Sequence, residues 1–223
     1  MRYLKLMIPL IVFTSCKKDN ISNNKNELII EKQTKNESFH YKEFGKSLVE
    51  NTDFPKEWEI NTYQDTAKKI KKEYLDFQKK FNKLDYFDEK SGTKISNKSF
   101  FNSYIKNDSL LKLSKIESLS LLDSLVSNQK KIFYIKTSSV INSIAYEMPL
   151  VINKIDLALF NKKTFIKSIN LYMEVDYPYS SKQNIGYLNE NGILFYKKFR
   201  IDEDKTYYLG ISKTNLNEYF NKK

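Results

Sequence analysis

The sequence predicts an α+β domain, with N-terminal helices followed by an antiparallel β meander. Two observations carry this. Ile60, Tyr63, Ala67, Ile70, Tyr74, Phe77, Phe81 and Leu84 recur at alternating steps of three and four, which puts them on one stripe of a helix. Further on the period changes to two. Ile155, Leu157 and Leu159 alternate with Lys154, Asp156 and Ala158, and Ile169, Leu171, Met173, Val175 and Tyr177 alternate with Ser168, Asn170, Tyr172, Glu174 and Asp176. Helices first and a meander second make an α+β domain.

The chain begins with a different kind of segment. Met1 to Lys5 carries Arg2 and Lys5 and no acidic residue, Leu6 to Phe13 is apolar throughout, and Thr14 and Ser15 are small. A basic start, an apolar run of about 7–15 residues and a small-residue cleavage site describe a secretory signal peptide. The run is far short of the ~20 residues of a membrane-spanning helix, and Pro9 interrupts it. Next comes Cys16, the one cysteine in 223 residues. Phe13-Thr14-Ser15-Cys16 resembles the lipobox of bacterial, Bacteroidota-type lipoproteins, with Phe13 where leucine is usual. The resemblance covers residues 1–16. It implies acylation of Cys16, removal of residues 1–15 and a membrane partner reached through the lipid. Each buried methylene is worth ~0.8 kcal/mol and one chain holds a protein only marginally, so the several chains that the family carries would anchor it firmly.

Residues 17–38 are polar, rich in Asn and Lys, and lack periodicity apart from Leu28-Ile29-Ile30; they read as a flexible tether. Lys17 directly after the cysteine favours the outer membrane, with its facing side left open. The expected organisation is therefore signal peptide at 1–15, lipidated cysteine and tether at 16–38, and a single α+β domain at 39–223.

Within that domain, Thr62-x-x-Asp65 resembles a capping box opening the helix over 60–84, whose seam could face its own core or a partner. Asn107 or Asp108 could cap a second helix running to about Ser127, with Leu111, Leu119, Leu122, Leu125 and Val126 on one face. Asn161-Lys162-Lys163 would join the two alternating strands. Residues 193–201 and 206–212 would form a hairpin around Asp202-Glu203-Asp204-Lys205, after a turn at Asn191-Gly192. One apolar and one polar face per strand predict a sheet open to water on one side.

Charge narrows the partners. The chain carries 38 Lys+Arg against 27 Asp+Glu, a net +11, and loss of Arg2 and Lys5 with the leader leaves +9. Arg200 is then the sole arginine. Readers of bases and phosphates favour arginine's planar fork, so the charge reads as a solvated lysine surface and no nucleic-acid partner is expected. Attraction to anionic headgroups or acidic glycans stays open. A single cysteine excludes an intramolecular disulfide, so stability must come from a packed core.

The motifs that announce chemistry are missing. His40 is the one histidine and sits at the edge of the tether. Gly210-Ile211-Ser212-Lys213-Thr214 lacks the second glycine of a nucleophile elbow, and no histidine follows it. Zinc needs His or Cys in numbers this chain does not have, and five glycines form neither a phosphate loop nor a dinucleotide fingerprint, so no metal and no cofactor is expected. A carboxylate pair for glycoside hydrolysis leaves no mark in a sequence and stays open. The tyrosines crowding the sheet, from Tyr172 to Tyr208, could stack on sugars or a protein, or simply reflect strand propensity. Asp65-Thr66-Ala67, Asp108-Ser109-Leu110 and Asp123-Ser124-Leu125 resemble the O-glycosylation sequon of exported Bacteroidota proteins, which makes Ser109, Thr66 and Ser124 candidate sites, Ser109 the best of them. The expectation is a lipid-anchored binding or assembly module with an envelope protein or glycan partner. The alternatives are a glycan hydrolase using Asp/Glu and an immunity-type lipoprotein.

Overall fold

The computed structural model describes residues 38–60, 72–142 and 148–222. Cys16, the tether, Thr66 and the capping box at Thr62 lie outside the described residues. The chain runs β1 (Phe44–Gly45), α1 (Leu48–Asn51), β2 (Glu57–Glu59), α2 (described over Lys72–Asn82), β3 (Thr93–Lys94), α3 (Asn102–Asn107), β4 (Lys115–Ser127), β5 (Lys130–Ile141), β6 (Leu150–Asn161), β7 (Thr164–Tyr177), β8 (Ser180–Leu188), β9 (Ile193–Asp202), β10 (Lys205–Asn215) and α4 (Leu216–Asn221). Among the described residues the strands form one ten-stranded antiparallel sheet of order β2-β10-β9-β8-β7-β6-β5-β4-β3, with β1 added onto β8. From β4 to β10 every strand pairs with its sequence neighbour, so the meander is real and longer than the alternation foretold.

The helical half of the expectation is corrected. No second helix runs to Ser127. α3 ends at Asn107, Asp108 accepts the amides of Leu110 and Leu111, and the chain then enters β4. The reason is physical. The register of β4 on β5 slips once at Glu117 and again at Leu122, leaving one extra residue each time. Each bulge carries the next side chains to the other face, so Leu119 joins one apolar cluster and Leu122 and Leu125 the other. Steps of three between buried leucines imitate a helix. At the first stripe, Ile60 is not helical: its amide donates to Asp204 and extends β2. From Tyr74 onward the stripe packs inward, Phe81 and Leu84 within the main cluster and Tyr74 and Phe77 against it, so the described part of the seam faces its own core.

Two further expectations change. β7 bulges at Leu171, so its alternation is broken: Ile169 and Tyr172 share a face, and Val175 turns to the opposite one. The sheet is also not open along one whole side. On β6 both faces are buried, and Lys154, Asp156 and Ala158 are as hidden as Ile155 and Leu157. One face, carrying Ile132, Ile155, Tyr172, Ile185 and Phe199, is covered by α1, α2 and the segment through Phe87. Here Trp58 packs against Phe54, Phe77, Phe81 and Phe199 and donates to Gln78 Oε1 at 2.8 Å. The other face, carrying Phe133, Ala158 and Phe160, is covered over β4–β7 by residues 95–113. The Asn191-Gly192 turn forms as expected: Gly192 has φ +73° and donates its amide to Asn189.

Candidate functional site

Three groupings of polar side chains have enough chemistry to weigh. The first lies on the covered face, where Ser138, Asn153, Glu174 and Gln183 stand in one cross-strand row. Ser138 Oγ donates to Asn153 Oδ1 at 2.9 Å, and Asn153 Nδ2 donates to Glu174 Oε2 at 3.3 Å. Gln183 Nε2 lies 3.2 Å from Glu174 Oε1 and 3.2 Å from Asp85 Oδ2, and 2.7 Å from the Tyr172 hydroxyl. Asp85 also accepts the Phe87 amide at 2.9 Å, which fixes the loop that lies across the row. Burial, reinforced by the Asp176 carboxylate, pushes the Glu174 pKa up to about 7.

That shift makes a stability statement. The folded chain holds the Glu174 proton more tightly than the unfolded chain does, so the stabilisation is complete below the ordinary value of 4.5 and is lost as pH rises through about 7. With allowance for its partial exposure, the loss is on the order of 1–2 kcal/mol. Glu174→Gln, neutral at every pH, should remove this slope and raise the urea midpoint at pH 7.5 relative to wild type. A variant whose pH profile parallels wild type would refute it.

The second grouping is buried under α3. Lys154 Nζ contacts Asp156 at 2.9 Å and also bonds Asp108, while Asp156 accepts from Tyr104 and Asn170 as well. Lys154 is 2% exposed and Asp156 is fully buried. Burial opposes the lysine's charge, but the Asp156 and Asp108 carboxylates outweigh it and hold its pKa above the usual value. A lysine serving as base or nucleophile needs the opposite shift. This network is a fastening: Asp108 caps the turn after α3 with one oxygen and grips β6 through Lys154 with the other.

The third grouping is open. Beyond β7, on the face opposite Trp58, Lys182 on β8 stands directly across from Arg200 on β9, and Lys198 lies two residues along. All three are exposed. The Arg200 guanidinium sits 4.3 Å from the Tyr207 ring centroid and 3.3 Å from Asp202 Oδ2, and Lys182 Nζ lies 5.7 Å from the Tyr177 ring. Tyr179, 76% exposed, projects at the adjoining turn. It borders an open depression of about 510 Å³ shared with Asp202, Glu203, Asp204, Lys205 and Tyr207.

Of the residues singled out in the sequence, Ser109 is exposed in the turn behind Asp108, and Ser124 is exposed on β4 rather than helical. The tyrosines divide: Tyr172, Tyr187 and Tyr196 are core, while Tyr177, Tyr179 and Tyr207 reach the surface. Sequence reasoning missed Asp85, Gln183 and Lys182, which no motif marks. Among the described residues no group of three His, Cys, Asp or Glu could hold a metal, and no helix is long and apolar enough to cross a membrane. No protein-family model matches the chain, and comparison with curated proteins and with solved structures finds no match.

Proposed function

We propose that this chain is a lipid-anchored cell-envelope protein, acylated on Cys16 and held at the outer membrane, whose domain is a non-enzymatic binding or assembly module. The anchoring half rests on Arg2, the apolar run and Phe13-Thr14-Ser15-Cys16. The binding half is carried by one observation. Lys182, Lys198 and Arg200 stand exposed on one sheet face beside the exposed Tyr179 and the half-buried Tyr177 and Tyr207, whereas the carboxylates Asp85 and Glu174 are tied to each other through the Gln183 amide under a loop. A bridged pair leaves no gap for a scissile bond and its water, while an open charged face is ready for contact.

The test is Cys16→Ala, compared with wild type by membrane fractionation and intact mass. Wild type should carry acyl mass and sediment with membranes, and the variant should do neither. If both forms are unacylated and soluble, the anchor is refuted. The same spectra read the candidate glycosylation at Ser109: a hexose increment that Ser109→Ala abolishes supports it, and its absence from protein made in the native cells ends it.

One observation favours a second reading, a glycan hydrolase. Burial pushes the Glu174 pKa up to about 7, which suits a general acid working near neutrality. Turnover of envelope polysaccharide by wild type that Glu174→Gln abolishes would favour it over binding.

A further inference from the structure

We infer that Asp85, Gln183 and Glu174 form a proton-operated latch, which holds residues 85–90 across the sheet as a strap in acid and slackens as pH rises. The device is independent of the anchor at Cys16 and of the open face on β8 and β9.

Two kinds of bond fasten the strap. The first kind grips its backbone and rings. Lys46 Nζ donates to the Asp85 carbonyl at 2.8 Å and meets Glu89 Oε1 at 2.6 Å. Lys136 Nζ donates to the Phe87 and Lys90 carbonyls at 2.7 and 2.9 Å. The Tyr86 hydroxyl donates at 3.0 Å to the carbonyl of Leu171, where β7 bulges, and the Phe87 ring stacks on Tyr172 with centroids 5.2 Å apart. The second kind is the Asp85 carboxylate, whose Oδ2 meets the Tyr172 hydroxyl and Gln183 Nε2, each at 3.2 Å.

Valence makes this last fastening depend on a proton. An amide nitrogen carries two hydrogens, yet three acceptors converge on Gln183 Nε2: Asp85 Oδ2, the Tyr172 oxygen and Glu174 Oε1. The amide keeps its nitrogen toward the acids even though its own Oε1 is thereby left buried without a partner. With both carboxyls ionised, one acceptor lacks a hydrogen and two negative charges face one neutral amide. A proton on Glu174 removes a charge and supplies a donor.

The surroundings of Glu174 act in the same direction. Burial first, then the carboxylates of Asp176 on its own strand and Asp85 on the strap, outweigh the hydrogen bonds of Asn153 from β6 and Tyr172, and push its pKa up to about 7. Lifting the strap lets water reach the carboxyl and takes Asp85 away, so the lifted form holds the proton less tightly. Lifting therefore releases a proton and is favoured by up to about ten-fold per pH unit. It bares Tyr172 and the row Ser138, Asn153, Glu174 and Gln183, a line of donors and acceptors across four strands.

Amide hydrogen exchange of the full chain tests the latch, with protection taken against the intrinsic rate at each pH so that base catalysis cancels. The reporters are the Phe87 amide, which donates to Asp85 Oδ1, and the Lys90 amide, which donates to the Phe87 carbonyl at 3.3 Å. Both should be less protected than the amides of β6, because the strap opens without the sheet. From pH 6 to 8 their protection should fall about five- to ten-fold in wild type and stay level in Glu174→Gln. Asp85→Asn should move the fall to lower pH, since Glu174 then loses a facing charge; this variant carries the test if Glu174→Gln does not fold by circular dichroism. Equal protection of strap and β6 at every pH would mean that the strap leaves only when the domain unfolds, and would overturn the latch. So would a fall in Glu174→Gln as steep as in wild type, which would assign the slope to Lys136, or an Asp85→Asn profile that does not move.

Discussion

Lys154→Met should lose about 3–5 kcal/mol of stability, measured by urea unfolding at pH 7, because it removes one partner of a buried ion pair and leaves the other without compensation. Asp156 is fully buried, and burial alone already raises its pKa against the pull of Lys154 and Tyr104. Without the lysine it must fold protonated or pay for a buried charge. The sign follows: a carboxyl whose folded proton affinity is raised contributes stability at low pH and loses it as pH rises. The variant should therefore be closest to wild type near pH 4 and worst above neutrality. Lys154→Met combined with Asp156→Leu should recover part of the loss, since a well-packed apolar pair often replaces an ion pair at little cost. A Lys154→Met chain within 1 kcal/mol of wild type at pH 7 would show that the network does not fasten α3 to the sheet.

Trp58→Ala should cost a similar 3–5 kcal/mol, the range for emptying a large aromatic from a core. Trp58 is 1% exposed and touches Phe54, Phe77, Phe81 and Phe199, with ring centroids 5.3–6.4 Å away. It also donates to Gln78, so its loss frees α2 from β2 as well as opening a cavity. Trp58→Phe should lose much less, because it keeps most of the ring contact and forfeits mainly the hydrogen bond. Equal losses for Ala and Phe would mean that the bond, not the packing, dominates.

The residues announced the meander wherever a strand kept its period. Ile155, Leu157 and Leu159 were legible because β6 runs unbulged through them on β5. β4 was misread because two bulges reset its faces, and bulges are set by pairing with β5, which no local pattern reveals. β8 went unread because Ser180-Ser181-Lys182-Gln183-Asn184 has no β-branched or aromatic residue; its neighbours on both sides make it a strand. The candidate face was half legible. Lys198 and Arg200 sit at the polar positions of a hairpin strand read correctly, while Lys182 belongs to the strand that was missed. Asp85 reaches Gln183 across 98 residues of sequence, a contact that only the folded chain defines.

The pairing of β1 with β8 and of β2 with β10 sets an order of events. The seven strands from β4 to β10 can zip hairpin by hairpin, each closing a short loop. The first strands of the domain cannot. Tyr187 bonds Glu43 across 144 residues and Lys205 meets Glu57 across 148, so β1 can pair only once β8 exists, and β2 only once the last hairpin exists. Trp58 travels with β2, so its contact with Phe199 on β9 waits for that hairpin. The last strand, β10, is thus the clasp for β2.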